Sequence, residues 1–564
     1  MTPQAPTPAI DAFFSWFYRA YPVNATFIGL HDYDAQLPDL SEHGVGDALA
    51  GVETLRARFQ TLPRETLAGH EALDRHLIEG LLDVFRWELT SPHFHRTNPS
   101  LYTGEAVFGV IALFLRPFAP LETRAEAAVE RMLAIPAFLA QARENLRRPP
   151  GAWVERAIRE CAGASAFFEG GIARLIQEEA VRNPRLPDAA GVAASAFREF
   201  RAYLETELRP RATEDYACGG EGLDLLLRRG HFLTMSAGEI LNLAQDRVAA
   251  AEAEIRVRAA EAHTTGWREA LAALADRHPT VDGYYGRYAD VWQAARHAAE
   301  GRRLLTWPDY PLRYVPQPTW AREAAPYLYF LSYRAPAAFD HVPVVDYLVT
   351  PIEPDMPAEE QSRRLRGAND GVIKLNHVIH HGGNGHHVQN WHAYRAASRI
   401  GRVAAVDCAS RIALYCGGTM AEGWACYATE LMDEVGFLDP LERVAQAHSR
   451  LRIAARALVD VNLHTRVWTL DEAAAFYRDR AAMAPEASHA EAVKNSMFPG
   501  VALMYLMGLE EIQALRRRLT ADGRPFDLCA FHDSLLSYGS VPVALISDAM
   551  TRDAQAPGPS VRPR

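Results

Sequence analysis

Between His377 and His392 the chain sets six histidines into sixteen residues, and a glycine-rich stretch, Gly382-Gly383-Asn384-Gly385, divides them. No helix passes unchanged through such a stretch, because glycine is a poor helix former that tolerates dihedrals other residues avoid. Upstream, Asn369-Asp370-Gly371 offers a start for a helix through Val372, Ile373, Leu375, Val378 and Ile379. On it, His377, His380 and His381 share one face. His380 and His386 are six residues apart, about 9 Å of rise on a regular helix and too far to share one ion. Looping out two residues as a bulge restores the i,i+4 spacing of H-E-x-x-H sites. Neutral imidazole is the commonest protein ligand for a transition metal, so the stretch reads as a metal site.

Two histidines need at least one further ligand. The best candidate is Glu422, at the head of what reads as an amphipathic helix, Met420-Ala-Glu422-Gly-Trp424-Ala-Cys426-Tyr427. A lone carboxylate there would equally serve the helix dipole.

The remainder reads mostly as helix. Phe197, Phe200, Leu204 and Leu208 form one apolar stripe ending at Pro210, and Ile240, Leu243, Ala244, Val248, Ala251 and Ile255 form another. The exception is Tyr327 to Val349, where aromatic and β-branched residues predict two or more strands. Proline and glycine gather near Trp307-Pro-Asp-Tyr-Pro. They divide the chain into an N-terminal helical part, 1–310, a metal-site part of short strands then helices, 311–555, and a frayed tail, 556–564, in one two-lobed unit.

A formal charge of −11 excludes an ordinary nucleic-acid binder, since Arg516-Arg517-Arg518 is too short a basic run to track a backbone of phosphates. The six cysteines form no C-x-x-C pair, which suits a reducing compartment. The N-terminus lacks the basic start and apolar stretch of a signal peptide, and no window nears the ~20 apolar residues of a membrane span. These features predict a cytoplasmic protein without a membrane partner.

The run His380-His381-Gly-Gly-Asn384-Gly385-His386-His387-Val-Gln389, with Glu422-Gly423-Trp424-Ala425-Cys426-Tyr427, resembles the signature H-E-x-x-P-G-H-H-x-Q and E-G-W-A-L-Y. That signature marks a widespread family of bacterial proteins of formerly unknown function with zinc-metallopeptidase-like character. The resemblance extends over most of the chain. Gly29-Leu-His31-Asp32-Tyr33-Asp34 and Asp74-Arg75 look like its opening, Arg456-Ala-Leu-Val-Asp460-Val-Asn-Leu-His464 and Pro499-Gly500-Val-Ala502-Leu-Met-Tyr505-Leu-Met-Gly508 its later segments, and Phe531-His532-Asp533 its end.

The resemblance implies a mainly α, zincin-like enzyme with a deep cleft and a small β element. It also implies one divalent transition metal, zinc first, with iron, copper or manganese as alternatives. His380, His386 and Glu422 carry over as ligands, with His387 the alternative to His386. The implied reaction is hydrolysis of an amide, peptide or similar C–N bond in a small-molecule or short-peptide substrate.

The chain departs from the signature where the chemistry needs it most: the glutamate after the first histidine is His381, and the proline is Asn384. That glutamate takes a proton from the attacking water and delivers it to the leaving amine. His381 can replace it as general base, join the ligands in a nitrogen-rich sphere, or fill a site that only binds. The first retains hydrolysis; the second favours an oxidase, oxygenase or lyase on a small metabolite; the third makes a catalytically silent metal-binding protein. Tyr505 and His532 are candidates for a hydrogen bond to a developing oxyanion, and Arg452 and Arg456 read equally as a carboxylate clamp or as solvated or structural salt-bridge residues. His377 reads as support behind the ligands or as core, and His392, beside Trp391, as a structural or surface residue.

Overall fold

The computed structural model describes residues 8–62, 69–322, 337–340, 344–404, 415–521 and 525–555. The fold is mainly α and multi-helical, with one two-stranded sheet among the described residues. The apolar stripes become buried helix faces. Phe197 and Phe200 lie in the Leu186–Tyr203 helix, which continues as a π-turn over Leu204–Leu208, and all four stripe residues are buried. The Ala237–Glu261 helix starts on a capping box in which Ser236 accepts from Glu239 N and the Glu239 carboxylate accepts from Ser236 N, and it buries Ile240, Ala244, Val248, Ala251 and Ile255. It packs along the other 25-residue helix of this region, Pro440–His464.

The largest hydrophobic core joins residues from both sides of position 310, from Phe13, Tyr102 and Phe197 to Tyr347, Ile379, Trp424 and Leu535. Each half therefore covers apolar surface of the other. Strand β1 (Leu312–Pro316) pairs in parallel with strand β2 (Val345–Val349), so that Tyr314 lies beside Tyr347. The second half of the expected β region forms a strand as predicted; its partner lies earlier than expected, and the Tyr327–Tyr333 run falls outside the described residues, as does the 556–564 tail. No helix among the described residues is long and apolar enough to cross a membrane.

Two contacts fix the frame of the site. The Gly418–Glu434 helix crosses the Met504–Ala521 helix where Gly423 meets Gly508: a Cβ on Gly423 would lie 2.5 Å from the Gly508 backbone, and one on Gly508 would strike Thr419 O. Only two glycines permit this approach. Behind it, the buried Asp460 carboxylate accepts the backbone N–H groups of Gly500 and Leu503, both at 3.0 Å, and pins the loop leading into the second helix.

Candidate metal centre

Asn369 caps the segment, its side chain accepting from Val372 N at 3.1 Å. After one α-turn the backbone winds as a π-helix over Ile373–Gly382, breaks through Gly383, Asn384 and Gly385, and resumes as an α-helix over His386–Ala393. The expectation was a helix with a local bulge; the widening instead runs through ten residues. Long π-helical runs are rare, and tertiary partners hold this one. The Trp292 indole donates to Gly382 O at 2.6 Å and the Trp424 indole to Asn384 O at 2.8 Å, satisfying carbonyls left open where the helix ends. Gly385 sits so close to the preceding turn that a Cβ would lie 2.6 Å from Ile379 O and run into His380 O.

This winding brings His380 and His386 together across the break, ring centroids 4.9 Å apart. His381 joins them, 4.7 Å from His380 and 5.4 Å from His386. Each of the three offers a ligand atom within 4.8 Å of the others, a group able to hold a metal ion. Glu422 closes the arrangement: its Oε2 lies 3.3 Å from His380 Nε2 and 3.5 Å from His386 Nε2. Although those nitrogens are near, Oε2 is buried without a hydrogen-bond partner. Two ligand atoms each about 2.0–2.1 Å from a tetrahedral zinc are about 3.3 Å apart. The spacing and the missing donor alignment therefore fit lone pairs converging on a cation, and the residues present fit a divalent transition metal.

The electrostatics agree. Burial pushes the pKa of His380 below its ordinary value, and burial together with the neighbouring His380 and His386 pushes His381 well below. Both rings are kept neutral, the form that coordinates. His381 Nδ1–H donates to Asn376 O at 2.7 Å, which makes Nε2 the ring's basic nitrogen. The site is not sealed, since His380, His386 and Glu422 retain 15, 12 and 14% side-chain exposure.

The other candidates lie elsewhere. His387 is fully buried, stacked on Tyr310, with Nε2–H donating to Tyr310 O at 2.7 Å. His532 is also fully buried: Nδ1–H donates to Leu304 O at 2.5 Å and Nε2 accepts from the Tyr427 hydroxyl at 3.0 Å. Its ring packs on Trp424, so it supports the Glu422 helix from behind. His377 Nδ1 shares a 2.6 Å hydrogen bond with the Tyr347 hydroxyl. Tyr505 lines a neighbouring recess with Arg456. Sequence reasoning missed Asn376, Trp292, Tyr314 and Tyr347, which act on the site through backbone carbonyls or through His377; no spacing rule links them to the histidines.

A family model described as "Bacterial protein of unknown function (DUF885)" matches residues 22–550. The chain belongs to this family. Among curated proteins none matches it. Two solved structures share the fold. One is described as a "putative lipoprotein of unknown function" from Shewanella oneidensis, 24% identical, with a TM-score of 0.76 over 96% of this chain and 99% of that one. The other is a "putative lipoprotein" from Colwellia psychrerythraea, 18% identical, with a TM-score of 0.77 over 97% of this chain and 99% of that one.

These descriptions overturn the expectation of a cytoplasmic protein with no membrane partner. Cysteine usage and hydropathy do not report on lipid anchoring. Lipid anchoring needs only an acylated terminal segment, and it leaves no mark on the composition of the folded body. The DUF885 description assigns no activity, so family membership leaves the peptidase reading to the chemistry of the site.

Proposed function

We propose that this DUF885 protein is a metalloenzyme whose centre is held by His380, His381, His386 and Glu422, and that it acts on a small metabolite by non-hydrolytic chemistry. The observation that carries the reading is the position of His381, grouped with the other two imidazoles where a peptidase of this signature has its glutamate. A donor set of three nitrogens and one carboxylate suits iron, manganese or copper as well as zinc, and a metal held there supplies Lewis acidity and, for the first three, redox chemistry. The protein's own part is to keep the imidazoles neutral by burial and to fix the His381 tautomer through Asn376 O. The lipoprotein descriptions of the two solved structures favour a working place at or near a membrane.

A second reading has one observation in its favour. The hydrogen bond from His381 Nδ1 leaves Nε2 as a neutral base, the form needed to replace glutamate in zincin-like hydrolysis of a C–N bond. Metal content of the purified protein and of His381→Ala separates the two. If His381 is a ligand, the variant loses more than about 100-fold in metal affinity, beyond the 10–100-fold typical of supporting residues. If the variant keeps one metal per chain at wild-type affinity, His381 is not a ligand and the first reading falls. Stoichiometric iron, copper or manganese supports it further.

A further inference from the structure

Beside the histidine group packs a run of tyrosines. Tyr347 on β2 stands 6.2 Å from His381, ring centre to ring centre, and Tyr314, its partner in register on β1, lies 5.0 Å further on. Tyr288 follows at 5.2 Å, Tyr284 at 5.4 Å and Tyr285 at 5.1 Å, these three on the Tyr284–Gly301 helix. Five rings therefore lead without a gap from the histidine group to the half-buried Tyr285. The chain holds 23 phenylalanines against 21 tyrosines, and phenylalanine would fill such a space without a hydroxyl to satisfy. All five positions are tyrosine.

The two ends of the run carry proton acceptors. At the inner end the Tyr347 hydroxyl shares its 2.6 Å hydrogen bond with His377 Nδ1, and at the outer end Tyr285 donates to Glu353 Oε1 at 3.1 Å, a carboxylate whose side chain is 29% exposed. Between them the Tyr288 and Tyr284 hydroxyls lie 3.0 Å apart, Tyr284 donates to Thr350 O at 3.2 Å, and Tyr314 donates to His377 O at 3.2 Å. Burial raises the pKa of Tyr284, Tyr285 and Tyr288 above the ordinary phenol value, so these hydroxyls keep their protons at neutral pH. A phenol is among the side chains that give up one electron most readily, provided its proton has somewhere to go. Tunnelling weakens steeply with distance, so rings in near contact pass an electron on with ease.

We propose that the five tyrosines form a one-electron route between the candidate metal centre and the surface, which discharges oxidising equivalents delivered there by hydrogen peroxide when no substrate consumes them. The inference rests on the redox reading of the centre. Tyr347 yields one electron toward the centre and its phenolic proton to His377 Nδ1. An electron from Tyr285, passed through Tyr284, Tyr288 and Tyr314, refills it, and His377 returns the proton. The net loss is one electron from Tyr285, whose proton goes to Glu353 and on to water; a thiol at the surface restores both and becomes a thiyl radical. Two such passages reduce one hydrogen peroxide to two waters, and the two thiyl radicals join as a disulfide.

The first probe is photogenerated tris(bipyridine)ruthenium(III), a one-electron oxidant too bulky to enter the core, applied to the metal-free full-length protein and read by freeze-trapped EPR. The wild type gives a phenoxyl component whose g value is lowered by a hydrogen bond to imidazole. Tyr347→Phe removes that component, and Tyr288→Phe, which replaces the middle ring of the route, cuts it at least fivefold while the Tyr285 signal stays. Should Tyr288→Phe fail to fold, Tyr314→Phe breaks the route at a ring only half buried. The second probe is hydrogen peroxide on iron- or copper-loaded protein, with 2-oxo-histidine at His380, His381 and His386 counted by mass spectrometry. Either break raises that damage at least fivefold over the wild type. An EPR component indifferent to Tyr347 and Tyr288, or equal histidine damage, overturns the route. Binding of zinc alone overturns the redox reading, and the role of the route with it; a missing component in a protein that does bind iron or copper overturns the route alone.

Discussion

Arg131 is wholly buried and Arg452 partly open to solvent, and the two arginines are treated in opposite ways. Arg131 is fully buried and its donors are engaged: Nε bonds Gln36 O at 3.0 Å, one terminal nitrogen bonds Gly109 O, and the other reaches Thr26 Oγ1 at 2.6 Å, Tyr33 O at 3.2 Å and Pro22 O at 3.4 Å. Burial lowers its pKa to about 10, which still leaves it charged at neutral pH. Arg452 keeps a buried Nε without any partner, as Glu422 keeps a buried Oε2. A satisfied polar knot holds a fold together, whereas a buried carboxylate oxygen left without a donor between two imidazoles is positioned for something that arrives.

The largest effect expected from this contrast is on stability. Arg131→Met leaves Gly109 O and Thr26 Oγ1 in the core, and the half-buried Tyr33 O, without their donor and costs about 3–5 kcal/mol, the range seen when one member of a buried charged network is removed. It is read as a large fall in Tm or denaturant midpoint. Near-wild-type stability would remove the distinction between the two arginines.

Next comes Gly385→Ala. The added Cβ meets backbone oxygen on two sides, so the turn must shift and carry His386 away from His380. Overpacking of this kind costs typically 1–3 kcal/mol. Because the same movement opens the histidine group, metal affinity measured by competition with a chelator falls along with Tm. A variant destabilised but unchanged in metal affinity would show that the ligands do not depend on the turn.

Glu422→Gln sharpens the comparison from the other side. Glu422 Oε2 lies 3.3 and 3.5 Å from the His380 and His386 Nε2 atoms without an aligned hydrogen bond, so metal-free stability changes far less than at Arg131. Metal affinity falls by more than about 100-fold, because a charged ligand has been replaced by a neutral one. Both numbers come from thermal melts of the variant with and without metal.

What the sequence could show divides along the same line. The helical stripes were legible because burial of one face imposes a 3.6-residue period, and Phe197, Phe200, Ile240 and Val248 are buried as that period requires. The coming together of His380, His386 and Glu422 was legible as motif and spacing. The ten-residue π-winding was not: it uses ordinary residues and depends on Trp292 and Trp424 reaching backbone carbonyls from distant positions. Nor was the pairing of Leu312–Pro316 with Val345–Val349, since parallel strands are joined through a crossover whose partner no local pattern names. The cellular location expected from cysteine usage and hydropathy is overturned by the lipoprotein descriptions of two structures of the same fold, a property that the pattern of a folded body does not report.

The smallest effect concerns a third polar cluster, which ties the N-terminal Gly29–Asp34 segment to the 337–340 segment. His31 Nδ1 lies 2.8 Å from Asp34 Oδ2 and Nε2 lies 2.8 Å from Asp340 Oδ1, while the ring stacks on Phe118 at 3.6 Å. Burial works against the charged ring, but the two carboxylates outweigh it and raise its pKa from 6.5 to about 9. Arg116, 3.6 Å from Asp340, adds a cation on the far side of that carboxylate. A folded-state pKa above the unfolded one means stability fully present below about pH 6.5 and lost as pH rises through about 9. With His31 partly open to solvent, the contribution is on the order of 1 kcal/mol or less. The difference in denaturant midpoint between the wild type and His31→Gln therefore narrows between pH 6.5 and 9. A difference constant with pH would mean that His31 holds its two aspartates as a neutral donor, and the cluster would then resemble the Arg131 knot in satisfaction but not in charge.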